Sequence, residues 1–249
     1  MRTLVVLDFD GVICDSLQEC LASSWYAYYR LLLGLEPSST PLTLRSRFAS
    51  LRPFVRAGED FLLLQEIIHL EVPIGSQGDF DAYARRFSGP RLKRLGELFY
   101  EARSRFLRCD RASWLALNRI YPGLRPALSA WVLSPAFYIL STKKPEFILE
   151  ILASKGIESS AERVLYCARK GKLDIVSELL DRLGAGGAVF VDDQIDHLLS
   201  GQGRDSRIEA RLASWGYVQP EWLEENAAVK TLSLEEALGY LEPLIRAWE

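Results

Sequence analysis

The feature that most constrains the fold of this chain is a series of short apolar runs separated by helical patterns. The runs cover residues 3–7, 136–141, 163–167 and 188–191. They are continuous rather than alternating, which is typical of strands buried on both faces of a parallel sheet. Residues 145–155 and 173–183 carry helical patterns between the runs, and each of these segments is followed by glycine. We therefore predict an α/β fold with a Rossmann-like, doubly wound, mostly parallel sheet.

Two further strands and a last helix extend this pattern along the chain. The strands are predicted at residues 208–215 and 229–232. Ser233 and Glu236 have the spacing of a capping box, in which each side chain accepts a hydrogen bond from the other residue's backbone N–H. This spacing predicts a helix that begins directly after Ser233.

The stretch from residue 16 to residue 118 has helical patterns and no convincing strand. Ser16 and Glu19 also have capping-box spacing, which predicts a helix over residues 16–34. A second long helix is predicted at residues 90–108, with turns at residues 38–41 and 75–78. About 100 residues are too many for a simple crossover between neighbouring strands. We predict a core domain of residues 1–15 and 119–249, with residues 16–118 inserted as an all-helical domain.

Polar side chains follow the predicted strands, at the edge where an open parallel sheet binds its ligand. They occur in Asp8-Phe9-Asp10-Gly11, Ser141-Thr142-Lys143-Lys144, Lys170-Gly171-Lys172 and Asp192-Asp193. Carboxylates can attack phosphorus or bind a hard cation, while a hydroxyl and an ammonium can hold phosphoryl oxygens. The pattern therefore indicates phosphoryl transfer through a covalent intermediate. Taken alone, Asp10-Gly11 is equally typical of a hairpin turn. Taken alone, Asp192-Asp193 and Thr142 are more typical of a turn or a helix cap, and a lysine pair is usually solvated.

Together, these residues resemble the haloacid dehalogenase superfamily of phosphohydrolases. Asp8-Phe9-Asp10-Gly11-Val12 is similar to its first motif, and Thr142 to the second, with Ser141 as the alternative register. Lys172 is similar to the third motif, with Lys170 as the alternative, and Asp192-Asp193 to the fourth. Tyr121-Pro122-Gly123-Leu124 resembles the return from a helical cap in the phosphoglycolate-phosphatase-like branch. The match follows the expected order along the whole chain, but the insert matches only in type.

The resemblance implies a role for each motif residue. Asp8 would attack phosphorus and form an aspartyl-phosphate, while Asp10 would protonate the leaving oxygen and then activate water. Thr142 and Lys172 would hold the transferred oxygens, and Gly11 belongs to the substrate-contacting positions. Mg²⁺ would be bound by the Asp8 carboxylate, the Asp10 backbone carbonyl and Asp193, with Asp192 helping directly or through water.

The fourth motif departs from the form Gly-Asp-x-x-x-Asp that is common in this superfamily. His197 occupies the position of the second acid, and Asp196 lies one residue early. The double acid Asp192-Asp193 also occurs in the superfamily, so metal binding is still expected. The role of Asp196 stays open, and His197 is interpreted as a structural histidine near a helix start.

The position of the insert resembles that of a C1-type cap, which closes over the site and contacts the leaving group. Arg52 and Arg56 are four residues apart and would share a helix face if the turn continues through Pro53. They could bind a second anionic group of the substrate. Alternatively, they form a surface pair with Glu59 or Asp60.

Net charge, hydropathy and cysteine spacing argue against several other classes of function. The 249 residues carry a net charge of −3, so nucleic-acid binding is not expected. No apolar run approaches the roughly 20 residues of a membrane-spanning helix, and no secretory signal is recognisable, so we expect a cytoplasmic protein. Four cysteines without C-x-x-C spacing and two histidines do not favour a zinc site.

The leading hypothesis is a Mg²⁺-dependent phosphatase acting on a small phosphorylated metabolite. A phosphosugar mutase of the same superfamily shares all four motifs. A non-catalytic binding or regulatory protein on this fold is the third hypothesis, although pure binding would not require Asp10. The sequence identifies neither the physiological substrate nor the oligomeric state.

Overall fold

The computed structural model describes residues 2–36, 42–167, 170–224 and 229–248. The chain divides into two compact units, one of Met1–Asp15 with Arg119–Glu249 and one of Ser16–Asn118. We call them the core unit and the helical unit and describe each by itself. The turn predicted at residues 38–41 lies outside the described residues. Among the described residues, every helix is too short or too polar to cross a bilayer.

Six strands of the core unit lie where the sequence predicts them, with ends that differ by at most two residues. In chain order the strands of this unit are β1 (Thr3–Leu7), β2 (Cys14–Asp15), β3 (Arg119–Ile120), β4 (Phe137–Ser141), β5 (Val164–Tyr166), β6 (Gly187–Asp192), β7 (Ile208–Ala213) and β8 (Lys230–Leu232).

Six of these strands form one sheet in the order β5-β4-β1-β6-β7-β8, and every pair in it is parallel. The central strand β1 pairs Leu7 with Ile139 of β4 on one side and with Val191 of β6 on the other. The predicted doubly wound α/β fold is therefore confirmed. The chain runs outward from β1 to β4 and β5 and then returns to β6, so the strand order reverses at β1. Such a reversal opens a crevice at the carboxyl ends of the strands.

Helices connect the strands of the core unit. They are α7 (Leu124–Trp131), α8 (Pro145–Ser154), α9 (Lys172–Leu183), α10 (Ile195–Leu199), α11 (Pro220–Glu224) and α12 (Leu234–Arg246), with a 3₁₀ turn at Ala161–Arg163. The apolar side of α9 packs on the sheet, where Val176 and Leu180 join Phe190 in a buried cluster. Strand β1 is buried on both faces, because Leu4, Val5, Val6 and Leu7 are at most 1% exposed.

A small antiparallel pair marks the place where the chain leaves and re-enters the core unit. Strands β2 and β3 pair Cys14 with Ile120 and Asp15 with Arg119. The sequence pattern does not predict this pair, because strands of two residues are too short to show a periodicity.

The helical unit is inserted between β2 and β3, as predicted, and its described residues form helices and no strand. The helices are α1 (Leu17–Tyr26), a π-helix (Ala27–Leu32), α2 (Leu42–Leu51), a 3₁₀ turn (Arg52–Phe54), α3 (Asp60–His69), α4 (Gln77–Ala84), α5 (Gly89–Cys109) and α6 (Arg111–Ala116). The turn predicted at residues 75–78 ends inside α4, where Ser76 is the N-cap.

The two predicted capping boxes have different outcomes. At Ser233 the box is complete, because the Ser233 hydroxyl accepts from the Glu236 N–H and the Glu236 carboxylate accepts from the Ser233 N–H. At Ser16 the prediction is wrong, since the Ser16 side chain makes no capping bond. The Glu19 carboxylate, which would complete that box, is instead bound inside the helical unit.

The Glu19 carboxylate forms a buried ion pair with Arg103. Arg103 donates from Nε to Glu19 Oε1 at 2.9 Å and from a terminal nitrogen to Oε2 at 2.7 Å. Trp114 Nε1 and the Ser23 hydroxyl also donate to Oε1, at 3.0 and 2.7 Å. The Arg103 guanidinium lies 4.4 Å from the centre of the Phe99 ring. The contacts of Glu19 thus join α1 to α5 and α6 in the interior of the unit.

We expect Glu19→Gln to destabilise the protein by about 3 kcal/mol, because it leaves the Arg103 cation buried without its carboxylate. Urea unfolding followed by circular dichroism measures this change in the free energy of unfolding. The control is Glu97→Gln, which removes a half-exposed partner of Lys93 and Arg94 and should cost less than about 1 kcal/mol. Equal losses in the two variants would contradict the assigned importance of the buried pair.

Candidate active site

The polar residues that follow β1, β4 and β6 meet at the carboxyl edge of the sheet. Asp8 directly follows β1, and its backbone N–H donates to the Val191 carbonyl of β6 at 2.9 Å. Asp192 is the last residue of β6, and Asp193 follows it. Thr142 follows β4. Because β1 lies between β4 and β6, the sheet itself places the first, second and fourth motifs side by side.

Three buried carboxylates form an acidic group at this edge. Asp8, Asp192 and Asp193 are 6%, 0% and 4% exposed. Each offers one oxygen, and these oxygens lie within 4.8 Å of one another. Carboxylate oxygens that converge in this way suit a hard divalent cation such as Mg²⁺. The sequence predicts all three as metal ligands, and the backbone carbonyl of Asp10 stays a predicted fourth.

Lys172 supplies the positive charge beside the acidic group. It is the first residue of α9, and its side chain is 1% exposed. Its Nζ lies 3.0 Å from Asp8 Oδ1 and 2.7 Å from Asp192 Oδ2. Burial disfavours the ammonium, but the two carboxylates more than offset this and raise the pKa of Lys172 above its ordinary value.

Lys170, the alternative for the third motif, lies elsewhere. Its side chain is 46% exposed and pairs with Glu178 on the surface. Of the two predicted lysines, Lys172 is therefore the one that the fold brings to Asp8.

Asp192 is engaged by protein donors on both of its oxygens. Oδ2 contacts Lys172 and also His197 Nδ1, which lies 3.1 Å away, while Oδ1 accepts from the Gln194 N–H at 2.9 Å. Burial works against ionisation, yet Lys172 and His197 hold the pKa of Asp192 well below its usual range. With both oxygens occupied, Asp192 is better placed to orient Lys172 than to bind a metal ion alone. His197 contacts the site through this carboxylate.

Asp193 and Asp196 have different surroundings. The Asp193 carboxylate accepts from the Tyr217 backbone N–H at 2.7 Å through Oδ2. Asp196 lies at the start of α10, where its backbone N–H donates to the Gln194 side chain at 3.1 Å. The acidic group contains Asp193 and not Asp196.

The pKa of Asp8 responds to the same charges. Burial raises it above its ordinary value, Lys172 opposes this rise, and Asp192 adds to it. A divalent cation among the three carboxylates would favour the ionised form of Asp8, which is the form that can attack phosphorus.

Lys143 is a site residue that sequence reasoning missed. Its side chain is 1% exposed, and its Nζ lies 2.8 Å from Asp10 Oδ1 and 5.5 Å from the centre of the Phe9 ring. A lysine pair such as Lys143-Lys144 is usually solvated, which is why the sequence predicts no role for Lys143. The available signal is its position directly after a strand that ends at the same edge as Asp10.

The two hydroxyls of the second motif also differ. Ser141 is 1% exposed, and its hydroxyl accepts from the Lys143 backbone N–H at 3.3 Å, inside the turn. Thr142 is half-buried at the end of β4. Of the two registers, Thr142 is the more accessible to a ligand.

The predicted arginine pair of the helical unit does not share a helix face. The turn that contains Arg52 ends at Phe54, and Val55 is extended, so Arg56 lies beyond it. Arg52 is 7% exposed and donates to the Val55 carbonyl at 3.2 Å. The Arg56 guanidinium donates to both carboxylate oxygens of Asp81, at 2.6 and 3.1 Å. The Arg56 backbone N–H donates to the Asp60 carboxylate at 2.8 Å.

Solved structures resemble this chain over nearly its whole length. A candidate phosphoglycolate phosphatase from Lactobacillus delbrueckii subsp. bulgaricus is 16% identical, with a TM-score of 0.66, and the match covers 98% of this chain and 99% of that one. A subfamily IA hydrolase of the haloacid dehalogenase superfamily from Geobacter sulfurreducens is also 16% identical, with a TM-score of 0.52 and coverage of 98% and 96%. Protein tyrosine kinase A from Mycobacterium tuberculosis is 17% identical, with a TM-score of 0.58 and coverage of 96% and 98%.

These likenesses show the fold. The chain has the haloacid dehalogenase-like hydrolase fold, an α/β core with an inserted helical region. No protein-family model matches the sequence, and no curated protein matches it. One structure with this fold is named a tyrosine kinase, so the fold alone does not determine the activity.

We expect Asp192→Asn to destabilise the metal-free protein by about 3 kcal/mol, because Lys172 then loses its nearer carboxylate. The pKa of Asp192 is depressed by folding, so its contribution is present above the ordinary value of 3.8 and is lost as the pH falls below it. Urea unfolding in EDTA from pH 6 to pH 2.5 measures both effects. The variant should lose less stability than wild type below pH 4, and an identical acid dependence would contradict this assignment.

Proposed function

We propose that this protein is a Mg²⁺-dependent phosphatase that hydrolyses a small phosphorylated metabolite through an aspartyl-phosphate at Asp8. The observation that carries this proposal is the buried Asp8 carboxylate, which shares one sheet edge with Lys172, Asp192 and Asp193. A nucleophilic carboxylate, a fixed cation and a set of metal-binding oxygens are the groups that such a reaction needs. The haloacid dehalogenase-like fold supports the same assignment.

Asp8 is the nucleophile in this proposal. One of its oxygens attacks phosphorus, the bond to the leaving oxygen breaks, and the phosphoryl group becomes attached to Asp8. Lys172, 3.0 Å from Asp8 Oδ1, offsets the negative charge of the incoming phosphoryl oxygens. Thr142, at the neighbouring strand end, donates its hydroxyl to the same oxygens.

Asp10 is the acid/base. As an acid it gives a proton to the leaving oxygen, and as a base it takes one from the water that attacks the aspartyl-phosphate. Water attack releases inorganic phosphate and restores the Asp8 carboxylate. Lys143 contacts Asp10 at 2.8 Å, so it fixes the position of this carboxylate while the substrate binds.

Mg²⁺ would be held by Asp8, Asp193 and the Asp10 backbone carbonyl. When bound, it neutralises charge on the phosphoryl group and orients that group for attack. The three carboxylates of the acidic group outnumber the single ammonium of Lys172, so a divalent cation also fits the charge of the site. Asp192, which is occupied by Lys172, His197 and Gln194, supports the lysine.

The helical unit is the proposed source of substrate selection, as in a C1-type cap. A substrate contact by Arg52 or Arg56 stays a prediction, and each arginine would have to bind substrate in addition to its protein contacts or in exchange for them.

The direct test is release of phosphate from p-nitrophenyl phosphate. Purified wild-type protein should release it with Mg²⁺ and lose the activity in EDTA. Asp8→Asn should lower kcat by at least about a thousandfold, because the amide oxygen is a poor nucleophile. Asp181→Asn, which changes an aspartate that is 67% exposed, is the matched control and should keep wild-type activity. Substantial activity in Asp8→Asn would refute the proposed chemistry.

Lys143→Met tests the assignment of Asp10. Its loss of kcat/KM should be about tenfold or more for phenyl phosphate, whose leaving oxygen needs a proton. The loss should be smaller for p-nitrophenyl phosphate, whose phenolate leaves without one. Lys144→Met is the control at the adjacent lysine. Equal losses on both substrates would show that Lys143 does not act through the acid.

A further inference from the structure

The segment that follows β7 contacts the predicted metal ligand Asp193, although no sequence motif pointed to it. The segment is Ser214-Trp215-Gly216-Tyr217, which we call the β7 loop. The Tyr217 backbone N–H donates to Asp193 Oδ2 at 2.7 Å. This bond fixes the rotation of the carboxylate and thereby sets the direction of its other oxygen.

Two glycines leave room for the Asp193 side chain. A Cβ atom on Gly216 would lie 2.4 Å from Asp193 Cβ and 2.5 Å from the Gly11 carbonyl oxygen. A Cβ atom on Gly11 would lie 1.9 Å from Asp193 Oδ2. Gly11 also has a φ of +90°, which disfavours any other residue there. Asp193 is therefore enclosed between two positions that tolerate no side chain.

The β7 loop is anchored on both sides of Gly216. Trp215 Nε1 donates to the Val12 carbonyl at 3.0 Å, and the Tyr217 hydroxyl donates to Asp15 at 2.9 Å. The Ser214 N–H donates to the Leu232 carbonyl of β8 at 3.0 Å. These bonds connect the loop to the end of the first motif, to β2 and to β8 at the edge of the sheet.

We propose that the β7 loop is a structural part of the magnesium site, with Gly216 and Tyr217 as the residues that position Asp193. This role depends on the metal site of the proposed function, and it adds a fifth segment to the four motif segments. Asp193 lies between Gly11 and the loop, so a shift of the loop moves the carboxylate relative to Asp8 and Asp192. The hydrogen-bonded neighbours of metal ligands commonly change metal affinity by about 10- to 100-fold when they are altered.

Gly216→Ala tests this role directly, and Gly239→Ala is its matched control. Gly239 lies in α12, and a Cβ atom there meets nothing within 4 Å. Isothermal titration of the full-length proteins with MgCl₂ gives the affinity, and thermal unfolding in EDTA reports the fold without metal. Gly216→Ala should raise the Kd for Mg²⁺ by about tenfold or more, while Gly239→Ala should leave it unchanged.

Two milder variants keep the test decisive if Gly216→Ala does not fold. Trp215→Phe removes the bond to Val12, and Tyr217→Phe removes the bond to Asp15, while both keep an aromatic ring. At least one of them should raise the Kd several-fold while its melting temperature in EDTA stays close to that of wild type. Mg²⁺ affinity within twofold of wild type in every folded variant would overturn the role of the loop.

The two proposals fail in different ways. If wild-type protein binds Mg²⁺ and Asp193→Asn abolishes binding, the proposed metal site is supported. The loop variants then test only the role of the β7 loop. If wild-type protein does not bind Mg²⁺, or if Asp193→Asn binds it as tightly, both the proposed metal site and the proposed role of the loop are refuted.

Discussion

The arrangement of the candidate site depends on the ion pairs that the Lys172 ammonium makes with Asp8 and Asp192. Asp8, Asp192 and Asp193 bring three carboxylates to one buried edge, where each unpaired charge costs several kcal/mol. Lys172 lies within 3.0 Å of two of them, and it is held there as the first residue of α9. One ammonium cannot balance three carboxylates, so the site keeps a negative excess that suits a divalent cation. The charge balance of this sheet edge therefore supports the proposed metal binding.

The order of the strands explains why these groups meet. Asp8 and Asp10 follow strand β1, which lies between β4 on one side and β6 on the other. One neighbour brings Lys143 to Asp10, and the other brings Asp192 and Asp193 to Asp8. The two aspartates that are proposed to do different work thus have different lysines. Lys172 contacts the proposed nucleophile, and Lys143 contacts the proposed acid/base.

The sequence predicts the sheet well, because strands buried on both faces must be apolar throughout. It also predicts that Asp8, Asp192 and Asp193 meet, since all three follow such strands. It does not predict contacts that depend on distant parts of the chain. Glu19 pairs with Arg103 instead of capping α1, and Gly216 is needed because Asp193 and the Gly11 carbonyl approach it. The meeting of the three carboxylates can therefore be inferred from the strand ends, while the contacts around them depend on tertiary packing.

In the proposed reaction, Asp8 carries the phosphoryl group during turnover. Asp10→Asn should slow hydrolysis of the aspartyl-phosphate more than its formation from p-nitrophenyl phosphate, whose leaving group needs no proton. Acid quenching of this variant during turnover, followed by peptide mass mapping, locates the covalent group. We expect one added phosphoryl group on the peptide that contains Asp8, and none in the double variant Asp8→Asn/Asp10→Asn. A phosphoryl group on another residue, or turnover by wild-type protein that passes through no phosphorylated protein, would contradict the proposed reaction.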